Sequence, residues 1–169
     1  TTGHAIVGLL KPFGGTISFD GKVISDQKRA KNQAKQTQII FQDPYSSLDP
    51  RFTVGSLIAE PLKVNTRLSK QEILNKVRML MKDVGLNETQ ITRYPHEFSG
   101  GQRQRIGVAR ALALEPRLIV CDEPVSALDV SIQAQILNLM QDLQKKYALT
   151  YVFISHNLSV VHHLCDRIA

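Results

Sequence analysis

Two stretches of this chain, about twenty residues apart, carry groups that could work on a phosphate. Ser99-Gly100-Gly101-Gln102 is a small-residue turn that opens a helix. The N-terminus of such a helix presents unpaired N–H groups and a hydroxyl, and its dipole favours negative charge. Leu118-Ile119-Val120-Cys121 reads as an apolar strand ending in Asp122-Glu123. Carboxylates leaving the C-terminal edge of a buried parallel strand lie where α/β folds place their ligands. The turn suits a phosphate, and the acidic pair suits a cation with a water. The plainer reading is a capped helix followed by a core strand with a solvated acidic end.

The elements that must position these groups follow from hydrophobic period. After the acidic pair, Ile132, Ile136, Leu139, Met140 and Leu143 mark the inward face of a helix from about Ser131 to Tyr147. Thr150–Ser155 is then a second strand ending in His156. Parallel strands joined by a crossover end at the same sheet edge, so Asp122, Glu123 and His156 are expected side by side. Ile106, Ala109, Leu112 and Ala113 give the inner face of the helix that opens at Ser99, flanked by the surface arginines Arg103 and Arg105.

Upstream, Thr2–Leu10 reads as a short helix with Ile6, Val7, Leu9 and Leu10 on its apolar side. Thr16–Phe19 and Lys22–Ile24 flank Asp20-Gly21, a strong hairpin signal. Gln38–Phe41 is a strand with Gln42 at its end, and Asp43–Pro50 a loop with two prolines. Residues 51–98 read as helical. A first stretch carries Val54, Leu57, Ile58 and Leu62 and stops near Pro61. A second is opened by the capping box Ser69-x-x-Glu72, carries Ile73, Leu74, Val77, Leu80, Met81 and Val84, and stops at Gly85.

In this order and spacing the motifs resemble those of the ATP-binding-cassette (ABC) ATPases. Ser99–Gln102 is similar to the family signature, Leu118–Asp122 to the Walker B strand and Glu123 to the catalytic glutamate. Ser126-Ala127-Leu128-Asp129 resembles the D-loop, Gln42 the Q-loop glutamine and His156 the H-loop histidine. The octapeptide Asp43–Pro50 resembles the Q-loop of the oligopeptide, dipeptide and nickel importer branch. Phe98 stands where most relatives carry leucine. There is no G-x-x-x-x-G-K-[ST], and the opening resembles the segment just after such a loop, so that Thr1 would follow its Lys-Ser/Thr pair. The expectation is an internal stretch of a longer cassette, which by itself binds ATP poorly and does not hydrolyse it.

The resemblance implies an α/β, P-loop NTPase-like ABC ATPase domain in part: a mostly parallel sheet flanked by helices, an antiparallel β hairpin and an α-helical subdomain. Residues 1–42 would hold the end of the P-loop helix, the hairpin and the Q-loop strand. Residues 43–98 would form the helical subdomain, and 99–169 the signature helix, Walker B, D-loop and H-loop. The implied cofactors are ATP and Mg2+. Asp122, through a water, and Gln42 would hold magnesium. Glu123 would act as general base on water, and His156 would contact the γ-phosphate. Ser99, Gly100, Gly101 and Gln102 would bind the ATP of a second cassette, identical or homologous, in a head-to-tail dimer. Asp129 would reach across that interface, its local alternative being helix N-cap, and Thr1 would lie at the nucleotide. The implied whole is the energising subunit of a bacterial importer of oligopeptides or dipeptides, peripheral on the cytoplasmic membrane face. It would work with transmembrane permease subunits and, indirectly, an extracytoplasmic binding protein.

Composition sets the remaining bounds. With 169 residues, 43% of them apolar, the chain can bury a core. No apolar run reaches the length of a membrane span. The two cysteines, Cys121 and Cys165, lack metal-ligand spacing and fit a reducing compartment. A net charge of +6 is too diffuse to select a partner, and Lys28, Arg29, Lys31 and Lys35 read as a solvated segment. A soluble ABC ATPase of DNA repair or translation is the competing class. Its coiled-coil or zinc insertions are not seen between Gln42 and Ser99, which holds no heptads and no cysteine, so no nucleic-acid partner is expected. A non-catalytic unit of the same fold is the third reading.

Overall fold

The computed structural model describes residues 2–23 and 35–169. Expectations for Thr1, Ile24, Lys28, Arg29 and Lys31 fall outside that range. Among the described residues, three parallel strands form the centre in the order β3-β4-β5: β3 Thr37–Ile40, β4 Leu118–Asp122 and β5 Thr150–Ile154. Register pairs Ile40 with Cys121 and Asp122 with Ile154, which levels the three C-terminal ends. β4 is buried along its apolar length, as a continuous apolar run in a parallel sheet requires.

Alternation along β4 sends its side chains to two layers. Ile119 and Cys121 enter the main core with Ile106, Ile136 and Met140. Val120 turns to the other face, where helix α1 (Thr2–Ile6) lies so close that a Cβ on Gly3 would stand 2.8 Å from Val120 Cγ1. Gly3 is therefore the residue that lets α1 rest on the sheet. The expected Thr2–Leu10 helix is cut to five residues, because Gly8 takes a φ of 80°. Leu9 and Leu10, expected on its apolar side, are exposed instead.

The hairpin is β1 Ser18–Phe19 against β2 Lys22–Val23, antiparallel. Asp20 and Gly21 both hold positive φ, 50° and 70°, as a two-residue turn with right-handed strand twist needs. Asp20 pairs with Arg117, whose guanidinium lies over the Phe19 ring. That contact ties the hairpin to the start of β4.

Between β3 and the signature turn come α2 (Pro44–Ser47), α3 (Val54–Asn65) and α4 (Lys70–Asp83), then short 3-10 turns at Glu88–Thr92 and Pro95–Glu97. The octapeptide after Gln42 is thus partly helical, not a plain loop. Nor does α3 stop at Pro61. Interior proline costs about 3 kcal/mol, but Leu57, Ile58 and Leu62 are buried around it at about 1.5–3 kcal/mol each. Burial wins, and the helix runs on to Asn65, where the Thr66 N–H and hydroxyl both donate to the Leu62 carbonyl.

α4 begins as its sequence demands: Ser69 Oγ accepts from the Glu72 N–H, and the Glu72 carboxylate accepts from the Ser69 N–H. It ends at Gly85, φ 73°, with Leu86 N–H donating to the Met81 carbonyl and Gly85 N–H to that of Lys82. Asp83 at its last turn accepts from Lys146 Nζ at 2.5 Å and from the Tyr147 hydroxyl. Those two residues close helix α6 (Val130–Tyr147), so the helical segment is pinned to the sheet layer. Burial first, and the Asp83 carboxylate second, push the Tyr147 phenol above its ordinary range. Helix α7 (Leu158–Leu164), which carries His162 and His163, follows β5. No helix among the described residues is long and apolar enough to cross a membrane.

Candidate functional site

The levelled strand ends bring three polar groups together. Gln42, two residues beyond β3, donates its Nε2 to Glu123 Oε2 at 2.9 Å. His156, two beyond β5, places Nδ1 3.1 Å from Glu123 Oε1. An ionised carboxylate only accepts, so the Nδ1–H tautomer donates there. One carboxylate is thus gripped from both sides, by an amide and by an imidazole.

Backbone geometry aims Glu123 at that position. Its φ is 49°, in the left-handed region, and its N–H donates to the Ile154 carbonyl at the end of β5. The Ser126 hydroxyl and N–H both donate to the Glu123 carbonyl. Gln133 Nε2 bridges the carbonyls of Val125 and Leu128, 2.9 Å from each. The segment from Glu123 to Leu128 is therefore held by hydrogen bonds along most of its length.

Asp122, one residue earlier, faces α1. Its Oδ2 lies 3.6 Å from His4 Nδ1, too far for a hydrogen bond, and that nitrogen is buried without a hydrogen-bond partner among the described residues. His4 also tilts against the Phe41 ring. No sequence signal marked His4, since a histidine inside a short helix usually packs as a neutral residue.

Ser99–Gln102 forms a separate corner at the start of helix α5 (Gly100–Leu112). Ser99 is exposed, and its Oγ accepts from the Gln102 N–H at 3.3 Å while Gln102 Oε1 accepts from the Ser99 N–H at 3.0 Å. This is a capping box, written in the sequence as Ser-x-x-Gln. Among the described residues no hydrogen bond joins this corner to the Glu123 cluster. Gly101 backs onto α6, where an added Cβ would stand 2.5 Å from Ile132 Cγ2.

Asp129 sits at the N-cap position of α6 but makes no side-chain capping bond. Arg103 and Arg105, expected at the surface, spend guanidinium N–H groups on the carbonyls of Pro95 and Val84. Cys121 is fully buried and its thiol is pushed well up by that burial.

Residues 1–126 match the model of the ABC transporter family. The chain belongs to that family. Among its ABC relatives, it is 53% identical to the oligopeptide transport ATP-binding protein AppF of Bacillus subtilis (strain 168), over 99% of this chain and 52% of that protein. It is likewise 53% identical to the oligopeptide transport ATP-binding protein OppF of Escherichia coli (strain K12), over 99% of this chain and 51% of that one. The chain thus spans about half the length of the curated relatives it matches. The ABC fold is matched as well. A structure of cbiO1 from Clostridium perfringens, part of the ABC transporter complex cbiONQ, has a TM-score of 0.85 and 30% identity. It covers 96% of this chain and 64% of that one. The dimeric ATP-binding cassette MJ0796, in a post-hydrolysis state with ADP and Pi, has a TM-score of 0.81 and 29% identity, over 94% of this chain and 70% of that one.

Proposed function

We propose that the protein carrying this chain hydrolyses ATP to drive import of peptides, as the nucleotide-binding subunit of an ABC importer. The observation that carries the reading is the Glu123 carboxylate, held between Gln42 and His156 at the C-terminal ends of parallel strands. Phosphoryl transfer to water needs positioning and charge stabilisation more than covalent chemistry. Glu123 accepts a proton from the attacking water, and the two neighbours fix its orientation. His156, 3.1 Å from Glu123, would help to fix that water and would contact the γ-phosphate when ATP is bound.

The donor set fits magnesium, a hard cation that takes oxygen ligands from one or two carboxylates plus substrate phosphates. Asp122 would hold the ion through a water, and Gln42 through its amide oxygen, since its nitrogen is committed to Glu123. The ion, when bound, neutralises charge on the phosphates. Ser99, Gly100, Gly101 and Gln102 present the N-terminus of α5 to the ATP of a second cassette, with Asp129 at the same interface. Thr1, outside the described residues, is assigned to the nucleotide of its own cassette. Residues 1–42, 43–98 and 99–169 serve as hairpin-and-Q-loop segment, helical subdomain and catalytic half. The helical subdomain passes motion to permease subunits at the cytoplasmic membrane face. The names of the relatives support the peptide reading.

The test is ATP turnover and ATP binding by the full-length protein with its partner cassette. Glu123→Gln is expected to keep nucleotide binding, to lose about a hundredfold or more in turnover and to trap the dimer. His156→Ala is expected to cripple turnover with binding retained. Wild-type rates in Glu123→Gln would remove the general-base assignment.

A further inference from the structure

Gln104 is an anomaly on helix α5. It is 1% exposed, and its Nε2 is buried with no hydrogen-bond partner among the described residues. A buried amide donor left unpaired costs about 1–3 kcal/mol, and most buried polar atoms do have partners. Gln104 lines a cavity of about 160 Å³ together with Gln38, Phe41, Ser47, Pro61 and Arg110. That volume holds several waters, and its walls offer the polar partners that ordered water needs.

The cavity lies between α5 and the segment that carries Gln42. Gln38 and Phe41 belong to the run of chain that ends in Gln42, and Ser47 closes α2 just beyond it. Arg110, six residues further along α5 and lining the same cavity, already grips this segment and its neighbour: Nη1 donates to the Ser47 carbonyl at 3.1 Å and Nη2 to Glu60 of α3 at 2.7 Å. Helix α5 therefore carries the Ser99 corner at its start and, further along, two polar side chains that line the cavity beside the segment that delivers Gln42 to Glu123. One of the two has a partner, and the other has a cavity.

We propose that Gln104 is a positioning residue, whose amide donates to water held in this cavity and through it to the β3–α2 segment. It thereby holds Gln42 against Glu123 and ties that contact to the signature helix. The proposal rests on ATP hydrolysis as the protein's reaction. It adds a group that touches neither nucleotide nor the reacting water. A buried glutamine kept only for packing would be replaced by methionine without loss, because an apolar group of the same shape has no donor to satisfy.

The experiment is Gln104→Met in the full-length protein with its partner cassette. Positioning through one hydrogen-bonded bridge predicts a kcat lower by about fivefold, with KM for ATP unchanged and Tm equal or higher. It also predicts faster hydrogen exchange at the amides of residues 41–48. Wild-type kcat in the variant overturns the proposal. So does a fall in kcat that comes with lower Tm and unchanged exchange at 41–48. If the variant does not fold, a high-resolution crystal structure of the wild type decides: water within hydrogen-bond distance of Nε2 and of the β3–α2 backbone supports the proposal, and a dry cavity overturns it. A wild-type protein without ATP turnover is a separate result, which counts against the function and not against Gln104.

Discussion

The two glycines of the signature corner separate a packing requirement from a chemical one. A Cβ added at Gly101 would stand 2.5 Å from Ile132 Cγ2, whereas one at Gly100 would stand 3.5 Å from Leu128 Cδ2. The second distance is ordinary contact and the first is about an ångström inside it. Ile132 cannot easily turn away, because Cγ2 branches directly from Cβ and a helical isoleucine has one strongly preferred rotamer. Overpacking of this kind costs about 1–3 kcal/mol, while alanine in a helix gains up to about 1 kcal/mol over glycine. Gly101→Ala is therefore expected to lower stability by about 1–2 kcal/mol, and Gly100→Ala to be neutral or slightly stabilising. Adding Ile132→Ala to Gly101→Ala removes the clashing methyl, so the double variant should recover more than the two single effects sum to. Urea unfolding of all four proteins, followed by ATP turnover, reads both properties. If Gly100 meets the ATP of a second cassette as proposed, Gly100→Ala should stay folded and still lose turnover. A Gly101→Ala protein as stable as the wild type, or a double variant with no recovery, would refute the packing argument.

Two further outcomes follow from local contacts. Ser69→Ala removes the hydroxyl half of the α4 capping box and should lower the urea midpoint at pH 7. The hydrogen bonds from Ser69 hold the Glu72 carboxyl below its usual range, so this part of the stability is present above the unfolded glutamate pKa. It is lost as pH falls through the depressed folded value. The wild-type midpoint should therefore drop toward that of Ser69→Ala in acid, and a difference that grows on acidification would contradict the assignment. In the native protein Cys121 should resist thiol-specific labelling at pH 8 while Cys165 reacts, because Cys121 is fully buried and Cys165 only partly. Equal labelling of both would mean that β4 opens.

The strands and long helices were legible because each writes its burial into a period. Ile73, Val77, Leu80 and Met81 all lie in the core, as do Ile136, Met140 and Leu143. Crossover topology alone put Asp122, Glu123 and His156 at one sheet edge, where Glu123 and His156 touch while Asp122 faces His4 instead. What escaped the sequence depends on contacts distant in the chain. Nothing at Pro61 tells that buried neighbours will carry a helix through it, and nothing at Leu9 tells that Gly8 turns the chain first. Gln42 to Glu123 spans 81 residues, and no local pattern encodes which atom of the amide faces which oxygen. The Gln104 cavity is further from reading still. A glutamine on the helix that follows Ser-Gly-Gly reads as a surface residue until α2 and α3 close over it.

Glu123 turns the chain with a φ of 49°, a posture that costs a side-chain-bearing residue about 1–2 kcal/mol. Glycine would adopt it freely. A search for heat-resistant variants of this protein, scored only by survival of the fold, would thus be drawn to the very position that the proposed chemistry requires. Durability and turnover pull in opposite directions at a single backbone angle, and any screen for sturdier versions has to be run with its substrate present.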